Sequence, residues 1–224
     1  MIELKNVAMV YGEQTLFRDV ALSLPAGSFH FLTGPSGAGK TTLLKLCSLE
    51  HSASSGDVAL LGQSVADYNR DQIARLRRRI GVVHQESRFV DHLSVGENVM
   101  LPVAVTGGSA AAEGDLADLL SWVGLGAMVD RLPSELSGGE RQRMALARAI
   151  ILSPEIILAD EPTGNVDWEM SLKLLDLLIE LNRLGKTILC ATHDLNLIRQ
   201  AKSRVSSRVL RIKDGAVSLA GAGL

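Results

Sequence analysis

Short apolar runs recur along the chain, separated by longer stretches with helical spacing. Ile2–Val10 alternates apolar and polar positions, the period-two pattern of a half-buried strand, and Val20–Leu24 reads the same way. Together they predict an N-terminal antiparallel portion. Phe29–Leu32 reads as an apolar strand that runs into glycines and then into a predicted helix over Thr41–Leu49. Ile80–Val83, Ile156–Ala159 and Ile188–Ala191 read as further buried strands, the last followed by a helix from about Leu195. Val209–Ile212 and Val217–Leu219 flank Lys213-Asp214-Gly215-Ala216, where Asp-Gly predicts a tight hairpin turn.

Between Ser87 and Leu132 the strand signals vanish. Gly107-Gly108-Ser109 marks a loop, and a helix is expected around Gly114–Val123. Residues 87–151 therefore read as a mainly helical subdomain inserted in a core made of 1–86 and 152–224. Apolar strands alternating with helical stretches predict an α/β fold with a mostly parallel sheet.

Composition narrows the possibilities. A chain of 224 residues that is 46% hydrophobic can bury a substantial core, so disorder is not expected. A net charge of −2 argues against a dedicated nucleic-acid binder. The two cysteines, Cys47 and Cys190, lie in apolar stretches and read as core residues of a protein kept in a reducing cytoplasm. The most apolar stretch, Ala149–Ala159, is interrupted by Ser153, Pro154 and Glu155, whereas spanning a bilayer needs about 20 apolar residues. No basic head precedes an apolar run at the N-terminus, so no signal peptide is expected. Work at a membrane would need another chain to hold this one there.

Gly34-Pro35-Ser36-Gly37-Ala38-Gly39-Lys40-Thr41 fits the phosphate-loop pattern G-x-x-x-x-G-K-[ST] in full, with Thr42 next on the same helix start. Phosphate oxygens need many donors at close range. Glycines let backbone amides turn inward, and the following helix aims its positive end at the anion. Lys40 would meet the β and γ phosphates, while the Thr41 hydroxyl is a candidate ligand for Mg²⁺. Farther on, the apolar strand Ile156–Ala159 ends in Asp160 and Glu161. Adjacent carboxylates repel unless a cation or a reaction uses them. Asp160 is the expected aspartate of the Mg²⁺ shell, and Glu161 the residue that polarises the attacking water.

Leu136-Ser137-Gly138-Gly139-Glu140 resembles the LSGGQ signature of ABC ATPases, with Glu140 where glutamine is usual. Ser137 is placed to cap a helix whose glycines, Gly138 and Gly139, leave amides open to an anion. The other motifs of that family follow in order. Gln85 resembles the glutamine that senses Mg²⁺ and links to the transport partner, and Gly164-Asn165-Val166-Asp167 resembles the loop that crosses between subunits. His193 resembles the switch histidine at the γ phosphate, and Tyr11 the aromatic that stacks on adenine. The resemblance covers nearly the whole chain. It implies a phosphate-loop NTPase core of RecA type, MgATP as substrate and cofactor, and a head-to-tail homodimer in which Ser137, Gly138 and Gly139 complete the site of the opposite subunit.

Asp160-Glu161-Pro162-Thr163-Gly164-Asn165-Val166-Asp167 resembles the subgroup of cell-division, lipoprotein-release and macrolide-export ATPases. The stretches from Phe29 to Lys40 and from Ala191 to Ile198 look most like the cell-division FtsE type. That resemblance implies a multi-span membrane partner of the FtsX type, peripheral placement on the cytoplasmic face of the inner membrane, and activation of septal peptidoglycan hydrolases. A lipoprotein-release or macrolide-export ATPase is the alternative. The basic stretches Arg75-Leu76-Arg77-Arg78-Arg79 and Arg199, Lys202, Arg204, Arg208 and Arg211 read as a solvated face or as a contact with anionic lipid. Phe89, Val90 and Leu93, after the Gln85 motif, read either as exposed apolar residues that dock a helix of the partner or, for Phe89 and Leu93, as residues packed inside the helical subdomain.

Overall fold

The computed structural model describes residues 1–107, 111–164 and 166–220, and the side chains of all these but 111–114. The N-terminal alternating stretch forms β1 (Ile2–Tyr11), which pairs antiparallel with β2 (Gln14–Leu24) from Ile2↔Leu24 to Tyr11↔Gln14. The other edge of β1 takes β4 (Ser55–Leu60), with Ile2 opposite Leu60, and β5 (Gln63–Ser64) closes this sheet in the order β2-β1-β4-β5.

The second sheet runs β10-β9-β3-β8-β7-β6. Its strands β3 (Phe29–Thr33), β6 (Ile80–Val83), β7 (Ile156–Asp160), β8 (Thr187–Ala191) and β9 (Ser207–Lys213) are parallel. β10 (Ala216–Leu219) returns antiparallel. Asp214 and Gly215 at that turn have φ of 50° and 77°, the double left-handed geometry that an Asp-Gly hairpin requires. β3, β7 and β8 are buried at every position, which is why Ile156–Ala159 and Ile188–Ala191 read as unbroken apolar runs, while β3 buries His30 among its apolar residues.

The helices are α1 (Lys40–Cys47), α2 (Arg70–Arg77), α3 (Val95–Thr106), α4 (Ala111–Trp122), α5 (Gly138–Ile150), α6 (Trp168–Arg183) and α7 (Leu195–Lys202). One apolar cluster lies around α1 between the two sheets, with Phe17, Leu43 and Leu189 among its members. A second joins the other face of the parallel sheet to α6, α7 and the C-terminal part of α5. A third, including Val99, Leu120 and Met144, binds α3, α4 and α5 together. α5 therefore serves two clusters, with Met144 and Ala147 turned to one and Ala145 and Ile150 to the other. Cys47 and Cys190 are fully buried free thiols, and burial pushes Cys47 up to about 12.

Some elements differ from the sequence expectation. β2 starts at Gln14 rather than Val20, because a bulge with Asp19 at φ 49° breaks the alternation without ending the pairing. α3 continues through Pro102 and ends on Gly107 at φ 72°, while Gly108 and Ser109 lie outside the described residues. β4, β5, α2 and α6 are additional to the expected elements. Parts of the basic stretches are spent internally: Arg79 pairs with Glu155 at 2.5 Å, Arg204 with Asp176 at 2.5 Å, and Arg77 donates to the Leu49 carbonyl. Among the described residues no helix is long and apolar enough to cross a membrane.

Candidate active site

The parallel strands β3, β6, β7 and β8 end at one edge of the sheet, where an open α/β fold places its ligand crevice. A cleft of about 690 Å³ opens there. β3 delivers Gly34 and the loop that follows, β6 delivers Gln85, and β7 delivers Asp160 and Glu161. β8, which lies between β3 and β7, delivers His193 at the same edge.

The phosphate loop is shaped by its glycines. Gly37 and Gly39 sit at φ 75° and 98°, and a Cβ on Gly39 would lie 2.6 Å from the Phe17 ring. Gly39 stands at the N-cap of α1 without a side-chain cap, so the first-turn amides are left for a ligand. Lys40 folds back across the loop and donates to the carbonyl oxygens of Gly34 at 3.0 Å and Pro35 at 3.4 Å. Its ammonium also lies 3.9 Å from Glu161 Oε1, both side chains being largely buried. Pro35, Ser36, Thr41 and Thr42 line the cleft as well; Ala38 packs toward the core instead.

Glu161 follows the end of β7 with φ 46°, a left-handed conformation uncommon for a non-glycine residue. Its amide donates to the Ala191 carbonyl at 2.9 Å, which locks the turn onto β8. The carboxylate then meets His193, with Nδ1 at 2.9 Å and the backbone amide at 3.4 Å from Oε2. Asp160 is buried, and burial raises its carboxyl above the ordinary range. A Thr41 hydrogen bond and the Lys40 charge pull it down, while Glu161 adds to the rise. Asp160 Oδ1 is buried without a hydrogen-bond partner. An orphaned carboxylate oxygen beside the Thr41 hydroxyl fits a bound cation, which would remove the cost of burying that charge. Among the described residues no group of three His, Cys, Asp or Glu side chains could hold a metal ion. The fit is therefore to a cation such as Mg²⁺, which takes few protein ligands and completes its shell with water and phosphate oxygens.

Tyr11 stands at the cleft rim at the end of β1, 47% exposed, and its ring meets His51 edge-on with centroids 6.4 Å apart. Gln14 and Leu16 also line the cleft, brought there by the β1–β2 hairpin. No motif marks them, and only the pairing Tyr11↔Gln14 reveals them.

Ser137, Gly138 and Gly139 do not join this cleft. They form the start of α5, where Ser137 Oγ accepts from the Glu140 amide at 3.3 Å and Glu140 Oε2 accepts from the Ser137 amide at 2.7 Å. Glu140 thus completes a reciprocal cap, which glutamine would also satisfy. The Ser137 backbone amide and then its hydroxyl hold the Glu140 carboxyl below the usual range. Gly139 has a packing reason too: a Cβ there would meet the Met170 side chain at 2.8 Å. Asp167 caps α6 by accepting from the Met170 amide at 2.8 Å, while Asn165 lies outside the described residues.

The family profile described as ABC transporter matches residues 17–164, from β2 to just past Glu161. The chain belongs to the ABC transporter family. The "Cell division ATP-binding protein FtsE" of Haemophilus influenzae is 43% identical over 203 residues, which is 89% of this chain and 93% of that protein. FtsE of Escherichia coli is 40% identical over 96% of each chain. The "Macrolide export ATP-binding/permease protein MacB" of Campylobacter jejuni is 40% identical over 97% of this chain but only 33% of its own length. The solved structure of the ATP-binding cassette MJ0796, a dimer in a post-hydrolysis state bound to ADP and Pi, superposes with a TM-score of 0.87. It is 34% identical over 97% of both chains. The α/β architecture is that of an ABC ATPase, and this chain is an ATP-binding, ATP-hydrolysing ABC subunit similar to FtsE.

In the region after Gln85 the packed alternative describes Phe89 better than the exposed one. Phe89 is half-buried against two apolar clusters, with the Arg148 guanidinium 4.7 Å above its ring. Val90 and Leu93 are half-buried too, and Asn98 holds their backbone through three hydrogen bonds of 2.9–3.0 Å. Long-range packing onto α5 covers what the local sequence left open. The exposed apolar residue nearby is Val105, 81% exposed, on a groove of about 570 Å³ that also includes Leu101, Pro102, Arg78 and His84.

Proposed function

We propose that this subunit works as the ATP-driven half of an FtsE-like complex, closing as a head-to-tail homodimer over a pair of ATP molecules. In this reading Tyr11 stacks on the base, Gly34–Thr42 cradle the phosphates, and Thr41, Gln85 and Asp160 hold Mg²⁺, which would offset charge on the phosphate oxygens. Glu161 orients and deprotonates the attacking water, and His193 holds Glu161 and meets the γ phosphate. The observation that carries the reading is the convergence of Lys40, Glu161 and His193 in one cleft while Ser137–Gly139 stay outside it. A second copy would bring its own signature to that cleft. Residues 87–151 serve as the arm carrying it.

A membrane partner of the FtsX type would dock in the groove beside α3, with Leu101, Pro102 and Val105 as its apolar floor. The chain would then sit peripherally at the cytoplasmic face of the inner membrane, and its motion would activate septal peptidoglycan hydrolases. The likeness to MacB keeps export as a second reading. Co-purification with an FtsX-type protein rather than a MacB-type permease separates the two.

Mixed dimers test the composite site. Ser137→Arg on one chain with Lys40→Ala on the other leaves one composite site intact, whereas both changes on one chain spoil both sites. Activity is expected only in the first arrangement, and equal activity in the two rules out the head-to-tail sandwich. Tyr11→Ala should weaken ATP binding by about 1–3 kcal/mol, the range for base–aromatic stacking. Isothermal titration should show tripolyphosphate affinity unchanged, since the ring meets only the base.

A further inference from the structure

The stretch from Arg70 to Arg79 holds five arginines against one acid, Asp71, in a chain whose net charge is −2. Its own charge is thus +4, which leaves −6 for everything else. Positive charge is concentrated at α2 and its end rather than spread over the surface. Helix stability does not call for it. Arg75 and Arg77 in the last turn suit the negative end of the helix dipole, but Arg70 stands in the first turn, where a cation is unfavourable. Arg79 is spent on Glu155, and Arg77 donates to the Leu49 carbonyl. Arg70, Arg75 and Arg78 are exposed and belong to no ion pair among the described residues.

Their place in the fold gives this charge a direction. Ala74, Arg77 and Arg78 line the same groove as Leu101 and Val105 of α3, where the membrane partner is proposed to dock. Arg148 adds a cation to that lining, and Glu50, which accepts from Ser48, is its one acid among the described residues. A subunit that docks a membrane protein there turns α2 toward the bilayer. The second basic stretch lies elsewhere. β6, which follows α2, is at one end of the parallel sheet, while β9, with Arg208 and Arg211, stands near the other.

We infer that α2 meets anionic lipid headgroups through Arg70, Arg75 and Arg78 while the partner holds the adjacent groove. The inference rests on the docking reading above. Lipid is the occupant because the cations are long, exposed, unpaired and gathered on one short helix beside that groove. Guanidinium groups pair well with phosphate oxygens, and a negatively charged leaflet attracts such clusters. Headgroups move laterally, so they can meet arginines at any spacing, whereas a folded partner would need carboxylates at fixed positions.

Vesicles of phosphatidylglycerol and phosphatidylcholine in equal parts, sedimented with the full chain, test the surface directly. At about 0.05 M salt the chain should sediment with them, and about 0.5 M salt should release it. It should stay in solution with phosphatidylcholine alone. Each arginine at a charged surface changes binding about fivefold, so Arg70→Gln, Arg75→Gln and Arg78→Gln together should weaken it about a hundredfold. Arg199→Gln with Arg211→Gln, on the other basic stretch, should change nothing. Unchanged ATP affinity shows that both variants are folded. Equal binding by the triple variant, or no binding of the unaltered chain to the charged vesicles, overturns the lipid assignment. If the unaltered chain ignores the vesicles and the triple variant loses a co-expressed FtsX-type protein, the arginines belong to the partner protein instead. Arginine-dependent vesicle binding with no FtsX-type protein co-purified leaves this surface standing and removes the docking reading alone.

Discussion

Glu161→Gln is expected to bind ATP and to lose turnover by about two to four orders of magnitude, the usual contribution of a positioned general base. The amide can accept a hydrogen bond from water but cannot take its proton. The geometry also predicts that affinity will not fall. Glu161 Oε1 lies 3.9 Å from the Lys40 ammonium, so removing its charge leaves that cation freer for phosphate oxygens. The variant should therefore accumulate in its ATP-bound form and elute as a dimer when ATP is present. Phosphate release and nucleotide titration measured side by side check both halves. Hydrolysis at the ordinary rate would remove Glu161 from its role.

Lys40→Ala should fail earlier, at binding. A charge-assisted hydrogen bond contributes about 1.5–3 kcal/mol, so ATP affinity should drop by about ten- to a hundredfold. Lys40 also ties the loop together through Gly34 at 3.0 Å and Pro35 at 3.4 Å, and its removal loosens the amides that remain. Lys40→Arg should not rescue, because a planar guanidinium is too broad for the place of a compact ammonium beneath the loop. Binding of a fluorescent ATP analogue distinguishes this loss from the catalytic one. Unchanged affinity in Lys40→Ala would contradict the phosphate-loop assignment.

The parts of this site that lie close in sequence were legible without a structure. The loop from Gly34 to Thr41 and the Asp160-Glu161 pair at the end of an apolar run carry their chemistry in adjacent residues. Contacts that bridge long stretches of chain were not. Nothing local shows that Glu161 meets His193, since the hydrogen bond depends on β7 and β8 pairing so that the Glu161 amide reaches Ala191. The same holds for Phe89, whose ring is covered by Arg148 from α5. β4 escaped notice because only its last three residues, Val58, Ala59 and Leu60, are buried and its first two are Ser-Gly. Its strand identity comes from pairing with β1. α6 is a different omission, because Leu174, Leu175, Leu178 and Ile179 repeat at helical spacing and are buried on one face.

The contact between Gly139 and Met170 has a mechanical meaning. Where a side chain would stand on α5, the thioether of α6 already does, with a further Arg143 contact to the Met170 sulfur at 2.8 Å. Close-packed surfaces do not slide past one another by fractions of a side chain; they move together or not at all. The signature turn and the start of α6 are thus packed as one unit, so that a displacement of either is expected to carry the other with it.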